Sequence, residues 1–201
     1  MALKGQRTKA GDRTRAAILE ATLKLLGRAG PDGFSASTLA KEAGVSKATL
    51  FHHFGSIEEI PLAAFEQFWL QSLAPDSRNP VSARDYLGDL GQQLFNMSRK
   101  HAELLRAQVV FVTKAVFDSR LRDHLAAAGN QMHRTLAQEL TARLPKGLSA
   151  SQINTMARMA EMTLDGMMIA LVMRTGPKEM AETKRAWAGF VDLLLASVGA
   201  E

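Results

Sequence analysis

The stretch EAGVSKATLFHHFGS, from Glu42 to Ser56, interrupts a helical pattern with a glycine. A short helix is predicted before it, over 36–43, because Ser35 can accept a hydrogen bond from a first-turn amide as an N-cap. Gly44 suits the left-handed conformation that ends a helix, and a second short helix is predicted over 47–53. A helix, a glycine-containing turn and a second helix in this order are typical of a helix–turn–helix.

A helical projection of 47–53 separates an inward side from an outward side. Placing Leu50 inward leaves His52 and the small Ala48 at the centre of the outward side, where Ala48 allows close approach to a surface. The outward residues also supply a cation, a hydroxyl, imidazole donors and an apolar ring, which fit a DNA major groove and its phosphates. The predicted DNA-contacting residues are Lys47, Ala48, Thr49, Phe51, His52 and His53, with Ser37 on the preceding helix and Arg7 in the N-terminal arm.

The adjacent histidines His52 and His53 also permit other interpretations, namely a metal site, a catalytic site or an inert solvated surface. Adjacent residues of a helix point about 100° apart, so these two cannot converge on one ion. A helical zinc pair would be spaced i, i+4 with an acidic neighbour, and no third group in register supports catalysis. We favour DNA contact, with a solvated surface as the remaining alternative, and predict no metal site and no cofactor.

Positive charge is concentrated at one end of the 201-residue chain, whose formal net charge is +5. Residues 1–55 contain nine Lys or Arg and four Asp or Glu, whereas residues 56–201 contain sixteen of each. This asymmetry favours a basic module that binds a polyanion, attached to a neutral body. A solvated basic surface without a partner is the alternative.

Composition also limits the compartment and the chemistry. The chain contains no cysteine, which excludes disulfides, thiolate metal sites and a cysteine nucleophile. The N-terminus lacks the apolar core of a signal peptide, and the most apolar run, Gly166–Met173, is too short for a bilayer, which takes about 20 residues. We expect a cytoplasmic protein without a membrane segment. No glycine-rich phosphate loop, nucleophile motif or metal-ligand spacing supports an enzyme.

Between clusters of Pro and Gly, the apolar spacing is helical along the whole chain. Capping boxes are predicted at Ser56 with Glu59 and at Ser149 with Gln152. Pro61 is expected to kink the fourth helix or to delay its regular start. The predicted helices span 12–29, 36–43, 47–53, 57–73, 82–98, 101–117, 119–144, 150–174 and 178–198.

The fold predicted from this pattern is all-α. An N-terminal three-helix DNA-binding domain with a helix–turn–helix occupies residues 1–55. A six-helix domain for ligand binding and dimerisation occupies residues 56–201.

Two segments, RAAILEATLKLLGRAG and LAKEAGVSKATLFHHFGSIEEI, resemble the tetracycline-repressor-like family of bacterial transcription regulators. The later segment TLDGMMIALVMRTG is weakly similar to the betaine-responsive repressors of that family. The resemblance implies DNA contacts from 47–53 and an all-helical body that dimerises through its last two helices. Phe51 stands where the family usually has Tyr, Ile57 where a Lys is common, and Pro31 where an aromatic is frequent. The first two departures imply fewer phosphate contacts.

The last two predicted helices are apolar over wide faces. The interior of a body of this size is too small to bury both faces. Packing them against their copies as a two-fold four-helix interface would cover them, and an ordinary monomer core is the alternative. The predicted interface residues are Met167, Leu171, Phe190 and Leu194.

Polar residues on mainly apolar helices indicate a ligand pocket in the body. Asp165 lies in mid-helix, where a buried carboxylate needs a partner. It can face a cationic ligand or form a structural pair with Arg158 or Arg106, and we favour the pair. The predicted pocket residues are Gln108, Phe111, His133, Met162 and Asp165.

These features predict a ligand-responsive repressor that binds palindromic operator DNA as a homodimer and is released by a small-molecule inducer. An architectural or non-inducible DNA-binding protein is the alternative, since the basic N-terminus suits both. The large neutral body favours the sensor.

Overall fold

A computed structural model of the chain describes residues 9–72 and 82–200. The predicted DNA contact Arg7 lies outside these residues. The described residues form nine α-helices and no β-strand, so the all-α prediction is confirmed, with helix ends within three residues of those predicted. The helices are α1 Lys9–Ala29, α2 Ala36–Ala43, α3 Lys47–His53, α4 Glu59–Ser72, α5 Ala83–Lys100, α6 Ala102–Ala115, α7 Ser119–Arg143, α8 Ala150–Met173 and α9 Pro177–Ala196.

The start of α4 differs from the prediction. The helix begins at Glu59, so Ser56 does not directly precede it and the predicted Ser56–Glu59 capping box is wrong. Pro61 is therefore the third helical residue, where its missing N–H removes no hydrogen bond within the helix. The expected delay of the regular start is confirmed, and no kink is needed. The other predicted box, Ser149 with Gln152, is confirmed at the start of α8.

Two apolar cores hold the helices together. The first joins α1–α4 to α6 and the start of α7, and its buried side chains include Ile18, Leu50, Phe65 and Phe111. The first three helices thus share a core with the body. The 55/56 division remains a prediction.

The second core joins α5, α7, α8 and α9. Trp187 of α9 is buried, and its indole N–H donates to the Leu87 carbonyl of α5 at 3.1 Å. A Cβ at Gly91 would lie 2.2 Å from this indole, so only glycine allows α5 and α9 to approach this closely. In the described parts of the chain, no helix is long and apolar enough to cross a membrane.

Helices α1 and α6 are in close backbone contact. A Cβ at Gly27 would lie 1.8 Å from the Glu103 carbonyl oxygen, so the two backbones meet only because Gly27 has no side chain. The Arg106 guanidinium Nε donates to the Gly27 carbonyl at 2.7 Å. We call this contact the α1–α6 seam.

Candidate nucleic-acid interface and ligand cavity

The helix–turn–helix is fixed by short-range caps. Gly44 has φ 66°, and its N–H bonds to carbonyls of the last turn of α2. Ser46 Oγ accepts the Thr49 N–H at 3.0 Å and lies 2.9 Å from Thr49 Oγ1. Leu50 and Phe54 are buried in the first core. Because one side of α3 is anchored by these apolar residues, its opposite side must face outward.

The first helix of the motif, α2, is also fixed by hydrogen bonds and an ion pair. The Ser35 side chain accepts the Thr38 N–H at 3.2 Å, and Thr38 Oγ1 accepts the Ser35 N–H at 3.0 Å, which completes a capping box. The Arg28 guanidinium of α1 forms a two-pronged pair with Glu42 of α2, at 2.7 and 3.3 Å. The pair fixes α2 against α1, and Ser37 is exposed on the outer surface of α2.

The six predicted DNA contacts on α3 differ in their exposure to solvent. Lys47, Ala48, Phe51 and His52 are exposed, and Phe51 exposes 45% of its surface, which is unusual for a phenylalanine without a partner. Thr49 and His53 are partly buried. The hydroxyl of Thr49 is already hydrogen-bonded at the cap, so Thr49 is less free to contact DNA than the exposed residues.

The two histidines lie edge to face, with ring centroids 5.4 Å apart and planes at 76°. Across residues 9–72 and 82–200, no group of three His, Asp or Glu residues could hold a metal ion. Ile57, the departure just before α4, packs partly buried against the first core. Ile57 therefore contributes to core packing, and position 57 has no positive charge that could bind a DNA phosphate.

A cavity of about 270 Å³ lies in the body between α4, α5, α6, α7 and α8. Most of its wall is leucine and methionine, and its polar lining consists of two glutamines and two carboxylates. The described residues that line it are Phe65, Leu90, Gln93, Leu94, Met97, Leu105, Gln108, Val112, Leu125, Gly129, Met132, Glu161, Leu164, Asp165 and Met168.

Two of the predicted pocket residues, Gln108 and Asp165, line this cavity, and three do not. Phe111 is buried in the first core, with its ring 5.2 Å from that of Phe65. Met162 is 67% exposed on the outer surface of α8. His133 does not line the cavity, and its imidazole lies beside Glu161. A role of these three residues in ligand binding stays a prediction.

Glu161 was missed in the sequence, although its i, i+4 spacing from Asp165 places both carboxylates on one face of α8. Arg158 Nη1 lies 2.7 Å from Glu161 Oε2 and offsets its charge. His133 Nδ1 lies 3.4 Å from the same oxygen, but the geometry is not that of a hydrogen bond and Nδ1 has no such partner.

Asp165 forms no ion pair with another described residue, so the favoured structural pair is wrong. Arg158 is engaged by Glu161, and Arg106 bonds to a carbonyl of α1. Asp165 lines the cavity, although its side chain is exposed to solvent. Partial desolvation by its neighbours, and secondly the nearby Glu161 charge, raise the pKa of the Asp165 carboxyl.

Helix α6 connects the cavity to the DNA-binding helices. Leu105, Gln108 and Val112 line the cavity, while Glu103 and Arg106 form the α1–α6 seam. A shift of α6 caused by an occupied cavity would therefore be transmitted directly to α1, and α1 shares a core with α3.

The outward face of α8 and α9 differs from the predicted dimer face. Met167, Leu171 and Leu194 are buried in the second core, with Leu194 only 3% exposed, so most of their surface already packs within the protomer. The predicted Phe190 is partly buried, with its ring 5.4 Å from that of Trp187. Successive residues of a helix point about 100° apart, so the exposed side of each helix lies beside these residues. Their place in a dimer interface stays a prediction. The exposed apolar residues are Met159, Met162, Ile169, Met173 and Leu193, which we call the outer apolar face.

Comparisons with known proteins find similar sequences and folds. Residues 18–64 match the family described as bacterial regulatory proteins, tetR family. The chain is 22% identical to the HTH-type transcriptional regulator BetI of Burkholderia ambifaria (strain MC40-6), over 91% of this chain and 94% of that protein. It is 25% identical to BetI of Agrobacterium fabrum, over 91% of this chain and 88% of that protein.

Solved structures share the fold. A transcriptional regulator from Rhodococcus sp. Rha1 superposes with a TM-score of 0.80 at 17% identity, covering 93% of this chain and 98% of that one. A putative transcriptional regulator from Saccharomonospora viridis, solved in complex with choline, has a TM-score of 0.72 at 18% identity, covering 90% of this chain and 96% of that one.

Proposed function

We propose that this chain, whose residues 18–64 match the tetR family of bacterial regulatory proteins, is a ligand-responsive transcriptional repressor. It binds palindromic operator DNA as a homodimer and is released by a small-molecule inducer. The observation that carries the proposal is the anchoring of α3, whose Leu50 is fully buried while Lys47, Phe51 and His52 are exposed on the opposite side.

Charge supports docking of α3 on DNA. Several cations of the first three helices are already paired, since Lys24 bonds to Glu20 at 2.6 Å and Arg28 to Glu42. Lys47 has no ion-pair partner among the described residues and stands at the first position of α3. It is therefore available to a DNA phosphate, while Phe51, four residues later, can contact a thymine methyl in the groove.

The outer apolar face supports a homodimer. Met162, Met173 and Leu193 expose 67%, 75% and 74% of their surfaces, which is costly for a face that stays in water. The small residues Gly166 and Ala186 form the floor of a groove between α8 and α9 on the same side. They let helices of a second copy approach closely, and a two-fold arrangement buries the same face on both copies.

The cavity and the α1–α6 seam support release by a ligand. One regulator of this fold is solved in complex with choline. By analogy, we propose that a small molecule binds in the body of this chain. A ligand acts on DNA binding only through a difference in its affinity for the DNA-bound and free arrangements. Helix α6 contributes to both the cavity wall and the seam, so it can differ between those arrangements.

Selection of bound duplexes from a random library tests this function. We expect enrichment of an inverted repeat whose half-sites are about 10–10.5 base pairs apart, centre to centre, or a multiple of that. Lys47→Ala protein should retrieve the same sequence with lower affinity. Binding to all duplexes alike, with an ordinary dependence on salt, would contradict the repressor and favour the architectural alternative.

A further inference from the structure

We infer that the ligand of the cavity is a small aliphatic monocation that carries N–H donors, such as a protonated primary or secondary amine, with its charged end at Asp165. This inference rests on the proposed ligand-responsive function, because it names the chemistry that the same cavity selects.

The number of uncompensated carboxylates indicates the ligand charge. Glu161 is largely enclosed and has Arg158 at 2.7 Å, with His133 beside it from α7. Asp165, one turn later on α8, has no cation within ion-pair distance among the described residues and faces the cavity. One cavity carboxylate is therefore available to pair with a cationic ligand. A dication would bring a second charge into an apolar wall with nothing left to pair it.

The neutral polar groups of the wall indicate which kind of cation fits. Gln93 of α5 and Gln108 of α6 line the cavity and make no hydrogen bond with another described residue. Each side chain has a carbonyl oxygen that accepts hydrogen bonds. An ammonium with N–H groups can donate to these oxygens and to Asp165, and such charge-assisted bonds are the strong ones. A quaternary ammonium has no N–H to donate and leaves the oxygens unpaired.

The apolar wall indicates the shape of the rest of the ligand. The cavity has a volume of about 270 Å³. Leu90, Leu94, Leu105 and the pliable Met97 and Met168 surround this space. A flexible aliphatic chain matches this apolar and pliable wall.

Calorimetry on the full chain without DNA tests the ligand class, using four probes with the same six-carbon chain. They are hexylamine, hexanol, hexanoate and hexyltrimethylammonium. We expect hexylamine to bind about tenfold more tightly than each of the others. Asp165→Asn should weaken hexylamine binding about tenfold, whereas Asp123→Asn, which removes an exposed carboxylate of α7 outside the cavity, should leave it unchanged.

Several results would overturn the inference. They are absence of hexylamine binding, equal binding of hexanol, tighter binding of hexyltrimethylammonium, or equal loss in the two aspartate variants. Thermal unfolding of each variant establishes that it is folded.

Measuring operator affinity in the presence of each compound distinguishes a failure of this inference from a failure of the proposed function. Hexylamine that binds without weakening operator affinity supports the ligand class and contradicts the inducible repressor. Release of operator by a neutral or anionic compound that competes for the cavity supports the repressor and contradicts the ligand class.

Discussion

Truncating Leu193 on the outer apolar face should dissociate the homodimer without unfolding the protomer. Leu193→Ala removes three carbons from a side chain that is 74% exposed in the protomer. At about 0.8 kcal/mol for each buried CH₂-sized group, scaled by the 74% of the side chain that an interface would newly bury, the three carbons amount to about 1.8 kcal/mol per protomer. A two-fold interface counts the loss twice, about 3.5 kcal/mol, so the dimer dissociation constant should rise about 300-fold.

Sedimentation over a range of concentrations measures that constant, and circular dichroism confirms that each variant is helical. Phe117→Ala is the matched control, because Phe117 is 93% exposed but lies between α6 and α7. It should leave the dimer unchanged. Leu194→Ala should instead lower the free energy of unfolding by about 2–5 kcal/mol, since Leu194 is buried in the protomer. An unchanged dimer in Leu193→Ala, together with a weakened dimer in Phe117→Ala, would refute this interface.

Four further predictions concern the DNA-binding helices and the cavity. Lys47→Ala should lower the slope of log affinity against log salt by about 1.8 for a dimer that loses two phosphate contacts, and a wild-type slope in titrations of operator would contradict the docking. Phe51→Tyr should tighten operator binding or leave it unchanged, because its hydroxyl adds a phosphate hydrogen bond of about 1 kcal/mol; a tenfold loss in the same titrations would show a tight apolar contact at the ring. Gly27→Ala should push α1 away from α6, at an overpacking cost of about 1–3 kcal/mol, and so lower the melting temperature by about 2–12 °C. Gly88→Ala is the control and should not lower the melting temperature, because Gly88 has open space around it. Asp165→Asn should stabilise the protein above pH 3.8. Because the pKa of Asp165 is raised, the folded protein binds this proton more tightly than the unfolded chain, so the wild-type free energy of unfolding falls as pH rises from 3.8 through the folded pKa. Denaturant titrations that show the same pH dependence in both proteins would contradict this.

Local signals in the sequence were sufficient for the helix–turn–helix. Ser35, Gly44 and Ser46 act on neighbours within five residues, so their caps and the left-handed turn follow from residue type alone. The predicted capping box at Ser56 was wrong because the two residues after Ser56 form a turn and α4 begins only at Glu59. A capping pattern does not reveal such a turn.

The face that α8 turns outward could not be predicted. Apolar residues occur on every side of its second half, so periodicity does not distinguish Met167, which is buried, from Met162 and Met173, which are exposed. On α9 the adjacent leucines 193 and 194 present the same ambiguity. Packing against α5 and α7 decides which side is covered, and that contact joins residues far apart in sequence.

The cavity wall was predicted only in part, for a related reason. Gln108 and Asp165 stood out as polar residues on apolar helices, and both line the cavity. Whether Phe111 or His133 also reached it depended on how several helices cross, which single-helix patterns do not contain. Glu161 carried a usable signal, its i, i+4 spacing from Asp165, because that spacing places two carboxylates on one helix face.

Operator duplexes with altered half-site spacing test most directly whether two copies of α3 enter successive major grooves on one face of DNA. Inserting about five base pairs, half a helical turn, between the selected half-sites moves the second to the opposite face of the duplex. Fluorescence anisotropy should then show affinity falling toward that of non-specific DNA, about a thousandfold or more weaker than the parent operator. Unchanged affinity for the lengthened duplex would contradict a two-fold dimer that reads DNA through paired α3 helices.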